Sequence, residues 1–179
     1  MPVLESSRLR MRAWTAADAD FVLDMYSRWE VQRFIGTAPR VMTDLAEAQA
    51  AIQRWRARPD PVCGVWAVER VGTGRLLGTL LLKPIPASGD QLPLAPSGDI
   101  EIGWHFHPDA WGHGYATEAG RRGLAHAFAH GLPEVVAVTN PANTASQRVA
   151  ARIGMSHQGR TDRYYNATCE LFVAHPSRS

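Results

Sequence analysis

The 179-residue chain has 45% hydrophobic residues, 20% charged residues and a formal net charge of +2. This composition excludes a disordered chain and disfavours a protein that binds nucleic acid through a strongly basic surface. Cys63 and Cys169 have no metal-ligand spacing and are too few for a disulfide framework, which favours a reducing compartment. No apolar run approaches the roughly 20 residues of a membrane helix, and no apolar signal segment stands at the N-terminus. We therefore expect one cytoplasmic domain over residues 1–179.

Hydrophobic periodicity divides the chain into strands and helices in a mixed order. Alternating or continuous apolar runs predict strands over residues 8–14, 62–71, 75–83, 99–107, 134–139, 155–165 and 167–175. Start signals and a 3.6-residue period predict helices after Thr15, from an N-cap at Thr43 through Arg58 to a stop at Pro59, over 114–131 and over 143–154. Gly72-Thr-Gly74 should join the second and third strands as an antiparallel hairpin.

The helix predicted over 114–131 has a face of unusually small residues. The spacing i, i+3, i+4, i+7, i+8, i+11 and i+12 places on one face Ala116, Ala119, Gly120, Gly123, Leu124, Ala127 and Phe128. Small side chains let a helix axis approach a sheet closely, so we expect this helix to pack tightly on the strand that precedes it. Gly131 and Pro133 supply the C-terminal stop.

Gly112 and Gly114 stand between the strand at 99–107 and this helix. A helix N-terminus leaves its first N–H groups unpaired and carries about half a positive charge, so bare backbone at this point attracts phosphate. A P-loop is disfavoured because the chain has no Gly-Lys pair, and the dinucleotide fingerprint would need a third glycine in place of Thr117. The alternative is that the two glycines only shape a tight turn.

The stretch 101–119, EIGWHFHPDAWGHGYATEA, resembles the acyl-CoA-binding motif of the GNAT superfamily of N-acetyltransferases, Gln/Arg-x-x-Gly-x-Gly/Ala. Residues 111–116 occupy its six places, and tryptophan in the first place is typical of the RimJ/RimL-like branch, which acetylates ribosomal-protein N-termini. Residues 138–155 and 4–20 resemble that branch's Asn-x-x-Ser turn with its helix, and its N-terminal strand. The resemblance implies an α+β fold with a mixed, mostly antiparallel, splayed sheet of about six to seven strands flanked by about four helices.

The resemblance also implies acetyl-CoA as the acyl donor and direct attack by a primary amine, with no acyl-enzyme. The pyrophosphate of CoA would then lie on a turn formed by Trp111, Gly112, His113, Gly114, Tyr115, Ala116 and Thr117. The pantetheine arm would pair with the backbone of Trp104 and Phe106 as an added strand does. Asn143 would either bond this arm or cap the following helix.

Three residues are candidates for moving protons. By the resemblance, Ser146 stands where RimJ/RimL-like enzymes are thought to protonate the leaving thiolate, and Tyr164 stands where other GNAT branches use a tyrosine. Glu101 is the candidate base, acting through water on the ammonium. The alternatives stay open: Ser146 as part of a helix cap, Tyr164 as an ordinary strand residue, and Glu101 as an exposed glutamate without a catalytic role.

The remaining features concern metal, acceptor and partners. His105, His107 and His113 have no further ligand at a matching spacing, so we expect no metal. Segment 84–98 is rich in Pro, Gly and Ser, which predicts an irregular loop beside the acceptor. The acceptor is expected to be a peptide N-terminus or a small-molecule amine, and a homodimer stays open. The alternative function is a degenerate acyl-CoA-binding sensor or interaction module that does not turn over.

Overall fold

The computed structural model describes residues 1–57 and 60–177. Within these residues the strands are β1 (Leu4–Glu5), β2 (Leu9–Ala13), β3 (Gly64–Arg70), β4 (Leu76–Pro86), β5 (Pro96–Phe106), β6 (Val135–Thr139), β7 (Ser156–Tyr164) and β8 (Ala167–Ala174). The α-helices are α1 (Ala19–Tyr26), α2 (Trp29–Gln32), α3 (Leu45–Arg56), α4 (Tyr115–Ala129) and α5 (Thr144–Arg152). No helix in this part of the chain is both long and apolar enough to cross a membrane.

The strands form one sheet in the order β1-β2-β3-β4-β5-β6-β8-β7. Every neighbouring pair is antiparallel except β5 and β6, which run parallel. This arrangement confirms the predicted α+β class and its mixed, mostly antiparallel sheet. The described chain has one strand and one helix more than the sequence suggested, because β1 has only two residues and α2 only four. Hydrophobic periodicity cannot detect elements that short.

Side chains of β3 alternate between two apolar cores on opposite faces of the sheet. Trp66 and Val68 belong to the core beneath α4, whereas Ala67 belongs to the core beneath α1 and α3. On the α4 side, a Cβ added at Gly123 would stand 2.9 Å from Ile102 Cδ1. The predicted close approach of this helix to the preceding strand is therefore confirmed, and it depends on the missing side chain.

The start of α3 differs from the prediction by one residue. The carboxylate of Asp44 accepts the Glu47 N–H at 3.0 Å and is the N-cap, whereas the Thr43 hydroxyl donates to the Glu47 carboxylate. An aspartate at the N-cap also places a negative charge at the positive end of the helix. The helix ends at Arg56, and the predicted last residue, at position 58, and the predicted stop, at position 59, lie outside the described chain.

Both ends of segment 84–98 are strand, so the prediction of an irregular segment over its whole length is wrong. Strand β4 extends to Pro86 and β5 begins at Pro96, which stands opposite it, so residues 87–95 alone form the connection. A bulge between Pro84 and Pro86 accommodates the prolines, which cannot donate to a ladder. The proline-rich composition therefore predicts a loop at residues that in fact extend a long antiparallel hairpin.

The connection 87–95 is attached to the turn between β7 and β8. The Ser88 N–H donates to the Arg163 carbonyl at 2.7 Å. The Asn166 side chain exchanges two hydrogen bonds with the backbone of Gly89, at 2.8 and 3.0 Å. The β4–β5 hairpin thus reaches across β6 and β8 to the far edge of the sheet.

Candidate functional site

Strands β5 and β6 diverge soon after they meet. Among the described residues they share a single register pair, Glu101 with Val136, although β5 continues to Phe106. From that pair to Phe106, no strand of the described chain neighbours this edge of β5. The sheet is therefore splayed at this point, as the resemblance implied.

Between Glu101 and Phe106, the backbone N–H and C=O groups of every second residue of β5 point into the gap between β5 and β6. The His107 N–H donates to the Leu77 carbonyl at 2.9 Å, so odd-numbered residues bond to β4. The alternation of an antiparallel ladder then directs the N–H and C=O groups of Trp104 and Phe106 into the gap. The Trp111 indole donates to the Phe106 carbonyl at 2.8 Å. Trp104 is consequently the residue whose two backbone groups are best placed to pair with a bound amide chain.

The glycine turn, which contains Gly112 and Gly114, has a backbone conformation that would be strained in a residue with a side chain. Gly112 and Gly114 have φ angles of 79° and 76°, in the left-handed region that L residues rarely adopt. Gly114 is the N-cap of α4, so the turn exposes the first N–H groups of a 15-residue helix. Within the described chain, a Cβ at Gly112 would meet no atom within 4 Å. The turn thus needs glycine for its conformation, and it also leaves space in front of the helix.

A cleft of about 370 Å³ joins this turn to the open edge of β5. Its walls include, of the residues predicted for the site, Trp104, Phe106, Trp111, Gly114, Tyr115, Ala116, Thr117, Asn143 and Ser146. Gly112 and His113 belong to the turn but do not line the cleft. The structure therefore brings together a turn with exposed N–H groups, an unpaired strand edge and the start of α5.

Asn143 and Ser146 stand at the start of α5. The Asn143 carboxamide oxygen accepts a hydrogen bond from the Ser146 N–H at 3.1 Å. Asn143 therefore caps α5, which is one of the two roles predicted for it. Ser146 takes part in the cap only through its backbone. Within the described chain no hydrogen bond occupies its hydroxyl, and the residue lines the cleft. The Ser146 side chain is therefore available for chemistry.

Glu101 is buried, contrary to the exposed alternative. Its side chain is part of a cluster in which Lys83 Nζ lies 3.0 Å from Glu101 Oε1 and the Tyr165 hydroxyl donates to the same oxygen. Lys83 Nζ also donates to the Tyr165 hydroxyl at 3.1 Å. Burial foremost, and then the charge of Glu101, raise the pKa of Tyr165 well above its ordinary value. Glu101 itself does not line the cleft, whereas Gly103, two residues further along β5, does.

Tyr164 lies elsewhere. Its ring is 1% exposed in a core cluster with Ile85 and Leu171, and its hydroxyl donates to Asp99 at 2.7 Å. Burial and this carboxylate raise the pKa of Tyr164 to about 12. The structure does not bring Tyr164 together with Ser146, although the sequence suggested them as rivals for one role.

Sequence reasoning missed Tyr165 because it could not tell which of two adjacent tyrosines faces Glu101. Tyr165 and Asn166 have φ angles of 58° and 53°, so the pair forms the two central residues of a tight turn between β7 and β8. Both angles are positive, as in a type I′ turn. An asparagine between two strand-like runs was the available signal for this turn.

The sequence suggests only metal binding for His105, but in the structure this residue lines the cleft from β5. Its Nδ1 lies 2.9 Å from the Tyr26 hydroxyl, which donates to Thr79 Oγ1 at 3.1 Å. Burial foremost, and the charge of Lys83, lower the pKa of His105 to about 4, so the ring is neutral at pH 7. Among residues 1–57 and 60–177, no three His, Cys, Asp or Glu side chains form a group that could hold a metal ion.

Two arginines of α5 give the cleft a positively charged wall. Arg148 and Arg152 line it, which suits an anionic ligand. The two arginines of α4 are used differently. Arg121 donates to the Arg152 carbonyl at 2.8 Å, and Arg122 donates to the Glu5 carbonyl at 3.0 Å.

Comparison with known proteins agrees with this arrangement. Residues 8–156 match the family model described as the acetyltransferase (GNAT) domain. The uncharacterised N-acetyltransferase YoaA of Bacillus subtilis is 30% identical over 171 residues, which are 93% of this chain and 91% of YoaA. A GNAT-family acetyltransferase from Bacillus anthracis superposes with a TM-score of 0.74 at 22% identity, covering 96% of each chain. RimL, a ribosomal L7/L12 alpha-N-protein acetyltransferase solved with coenzyme A, superposes with a TM-score of 0.73 at 16% identity, covering 97% of this chain and 98% of RimL. The chain therefore belongs to the GNAT acetyltransferase family and to its RimJ/RimL type.

Proposed function

We propose that this protein is an acetyl-CoA-dependent N-acetyltransferase that moves an acetyl group directly to a primary amine. The acceptor is a peptide N-terminus or a small-molecule amine. The observation that carries the proposal is the cleft that joins the glycine turn to the unpaired edge of β5. Membership of the GNAT acetyltransferase family supports the same reaction class.

The residues of the cleft fit a ligand with both phosphate and amide groups. Exposed N–H groups at the start of α4 suit a pyrophosphate, and Arg148 and Arg152 add positive charge to the same cleft. The backbone of Trp104 suits the amides of a pantetheine arm, as in strand addition. Acetyl-CoA, when bound, supplies an acetyl thioester that an amine can attack.

The proton transfers are assigned to two residues. Glu101, buried beside Lys83 and Tyr165, takes a proton from the incoming ammonium through water. Ser146, whose hydroxyl carries no hydrogen bond within the described chain, gives a proton to the departing thiolate. In this proposal Tyr164 has a structural role, since its hydroxyl is bound to Asp99 inside the protein.

The state of the two cysteines indicates the cellular compartment in which the protein works. Cys63 is half-buried, Cys169 is buried, and both are free thiols. Burial foremost, and nearby carboxylates, raise the pKa of each thiol, which disfavours a nucleophilic thiolate. We infer a reducing compartment, namely the cytoplasm, and a reaction without a cysteine intermediate.

Calorimetric titration tests the cofactor assignment. Wild-type protein should bind acetyl-CoA but neither ATP nor NAD, and Gly114→Trp should abolish binding by filling the space in front of α4. Release of CoA thiol is then measured with a panel of peptide N-termini and small amines. Amine-dependent release supports the enzyme, whereas binding without release by any amine would favour an acyl-CoA sensor. Failure of the wild-type protein to bind acetyl-CoA would refute the proposal.

A further inference from the structure

A charged pair outside the assigned site connects the start of the chain to α4. Glu118, in the first turn of α4, accepts hydrogen bonds from the Ser6 hydroxyl at 2.8 Å, the Ser7 hydroxyl at 3.2 Å and the Arg8 N–H at 3.0 Å. The Arg8 Nε–H donates to its second oxygen at 2.6 Å. Burial opposes ionisation of Glu118, but the bonds from Ser6 and Arg8 outweigh it and lower the pKa of Glu118. The carboxylate is therefore ionised at neutral pH.

This carboxylate holds the Arg8 guanidinium against the glycine turn. Arg8 Nη1 donates to the His113 carbonyl at 3.1 Å, and the guanidinium carbon lies 4.9 Å from the centre of the Tyr115 ring. Arg8 Nη2 lies 3.7 Å from the position that a Cβ at Gly114 would occupy. Three sides of the group are thus fixed by the protein.

The remaining edge of the guanidinium is open. Within the described chain Nη2 makes no hydrogen bond, and 48% of the Arg8 side chain is exposed. A guanidinium presents its N–H groups in a rigid fork that matches the oxygens of a phosphate. Because Nη2 lies near Gly114, the N-cap of α4, its unused N–H groups are close to the start of this helix. The two sets of donors together favour an anion at the turn.

A purely structural ion pair would not need contact with the turn. Arg10 provides the comparison, because it stands two positions further along the chain, on β2, and its side chain has the same exposed fraction, 48%. Its nearest carboxylates, Glu5 at 3.7 Å and Glu69 at 3.5 Å, are on β1 and β3. Arg10 therefore links neighbouring strands, whereas Arg8, which immediately precedes β2, contacts the turn.

We propose that Arg8 binds the pyrophosphate of acetyl-CoA through Nη2, and that Glu118 positions Arg8 for this contact. The inference rests on the proposed function, because it names an additional ligand for the same cofactor site. It assigns recognition of a diphosphate group to a residue that lies more than 100 positions before the glycine turn. No chemical step is assigned to Arg8.

The test compares Arg8→Gln and Arg8→Lys with Arg10→Gln as the matched control. Acetyl-CoA is titrated by calorimetry, 3′-dephospho-acetyl-CoA serves as a probe that keeps the pyrophosphate, and S-acetylpantetheine, which lacks phosphate, is measured by competition. One lost charge-assisted hydrogen bond predicts about tenfold weaker binding of both pyrophosphate probes by Arg8→Gln. Binding of S-acetylpantetheine should not change, Arg10→Gln should match wild type, and Arg8→Lys should recover part of the affinity.

The outcomes separate this inference from the proposed function. Unchanged acetyl-CoA affinity in Arg8→Gln overturns the inference alone. An equal loss on S-acetylpantetheine also overturns it, because Arg8 would then only shape the turn. A loss that spares 3′-dephospho-acetyl-CoA overturns the pyrophosphate assignment in favour of the 3′-phosphate. If the wild-type protein does not bind acetyl-CoA, the proposed function is refuted, and this inference is refuted with it.

Discussion

Alanine substitutions at three glycines separate backbone strain from loss of a ligand contact. Gly112, Gly114 and Gly131 have φ angles of 79°, 76° and 82°. Left-handed backbone costs an L residue about 1–2 kcal/mol. Within the described chain, the added Cβ would meet no atom within 4 Å at Gly112 and Gly131, and only Arg8 Nη2 at 3.7 Å at Gly114. Each variant should therefore lose about 1–2 kcal/mol of unfolding free energy, a fall in Tm of roughly 2–8 °C.

The same three variants should differ in their affinity for acetyl-CoA. Gly112 and Gly114 adjoin the N–H groups at the start of α4, whereas Gly131 follows the other end of this helix. A helix of that length rises by roughly 22 Å. Loss of one hydrogen bond to a charged phosphate weakens binding by about ten- to a hundredfold. We expect that loss in Gly112→Ala and Gly114→Ala, and wild-type affinity in Gly131→Ala.

The assays are thermal unfolding without ligand and calorimetric titration of acetyl-CoA. Equal stability losses with unequal affinity losses would attribute the affinity to the turn. If Gly131→Ala lost as much affinity as Gly114→Ala, or if both turn variants bound like wild type, a phosphate-binding role for the turn would be refuted. Gly131→Ala is a matched control because its backbone strain equals that of the other two while its position is remote.

Three further predictions concern stability, chemistry and pH. Asp18→Asn breaks the ion pair in which Arg12 donates to both carboxylate oxygens, at 2.8 and 3.0 Å, of a residue only 6% exposed. Urea unfolding should show a loss of about 3 kcal/mol, and a loss below about 0.5 kcal/mol would contradict the role of this pair. Ser146→Ala should lower kcat for amine-dependent CoA release about a hundredfold and leave the affinity for acetyl-CoA unchanged. Tyr164→Phe should leave kcat near the wild-type value. If Tyr164→Phe lowered kcat and Ser146→Ala did not, Tyr164 would be the general acid. The His105 pKa is about 4 in the folded protein against an ordinary 6.5, so as pH falls from 7 the unfolded chain takes up the proton first. Folding should lose about 3 kcal/mol between pH 7 and pH 4 from this group, and a His105→Gln variant with an equally steep pH dependence would contradict the assignment.

The features that sequence predicts well are local ones. The small-residue face of α4 is fixed by spacing within one helix, and Gly112 and Gly114 mark a turn whose backbone only glycine adopts easily. Both depend on residues that are close in the sequence. The turn and helix of the proposed cofactor site could therefore be predicted from the sequence, together with its resemblance to a known family.

The features that sequence predicts poorly depend on contacts between distant elements. Glu101 is buried because Lys83 and Tyr165 meet it from neighbouring parts of the fold, 18 and 64 positions away. Tyr164 and Tyr165 are adjacent, yet the turn directs one hydroxyl to Asp99 and the other to Glu101. Neither hydrophobic period nor composition specifies that choice, since it follows from the turn conformation and the sheet order.

Because β5 and β6 share one register pair, backbone hydrogen bonding divides the sheet into two blocks, β1 to β5 and β6 with β8 and β7. Near one end of the gap the blocks are also linked, since Ser88 and Gly89 bond to Arg163 and Asn166. At the other end no strand of the described chain joins them. The cleft is lined by Val138 and Thr139 of β6 as well as by Trp104 of β5, so a ligand whose amides pair with Trp104 would contact both blocks and couple their unfolding. We therefore expect acetyl-CoA to slow amide hydrogen exchange in β6 and β8 as well as in β5, so that the donor substrate acts as a structural member of the sheet.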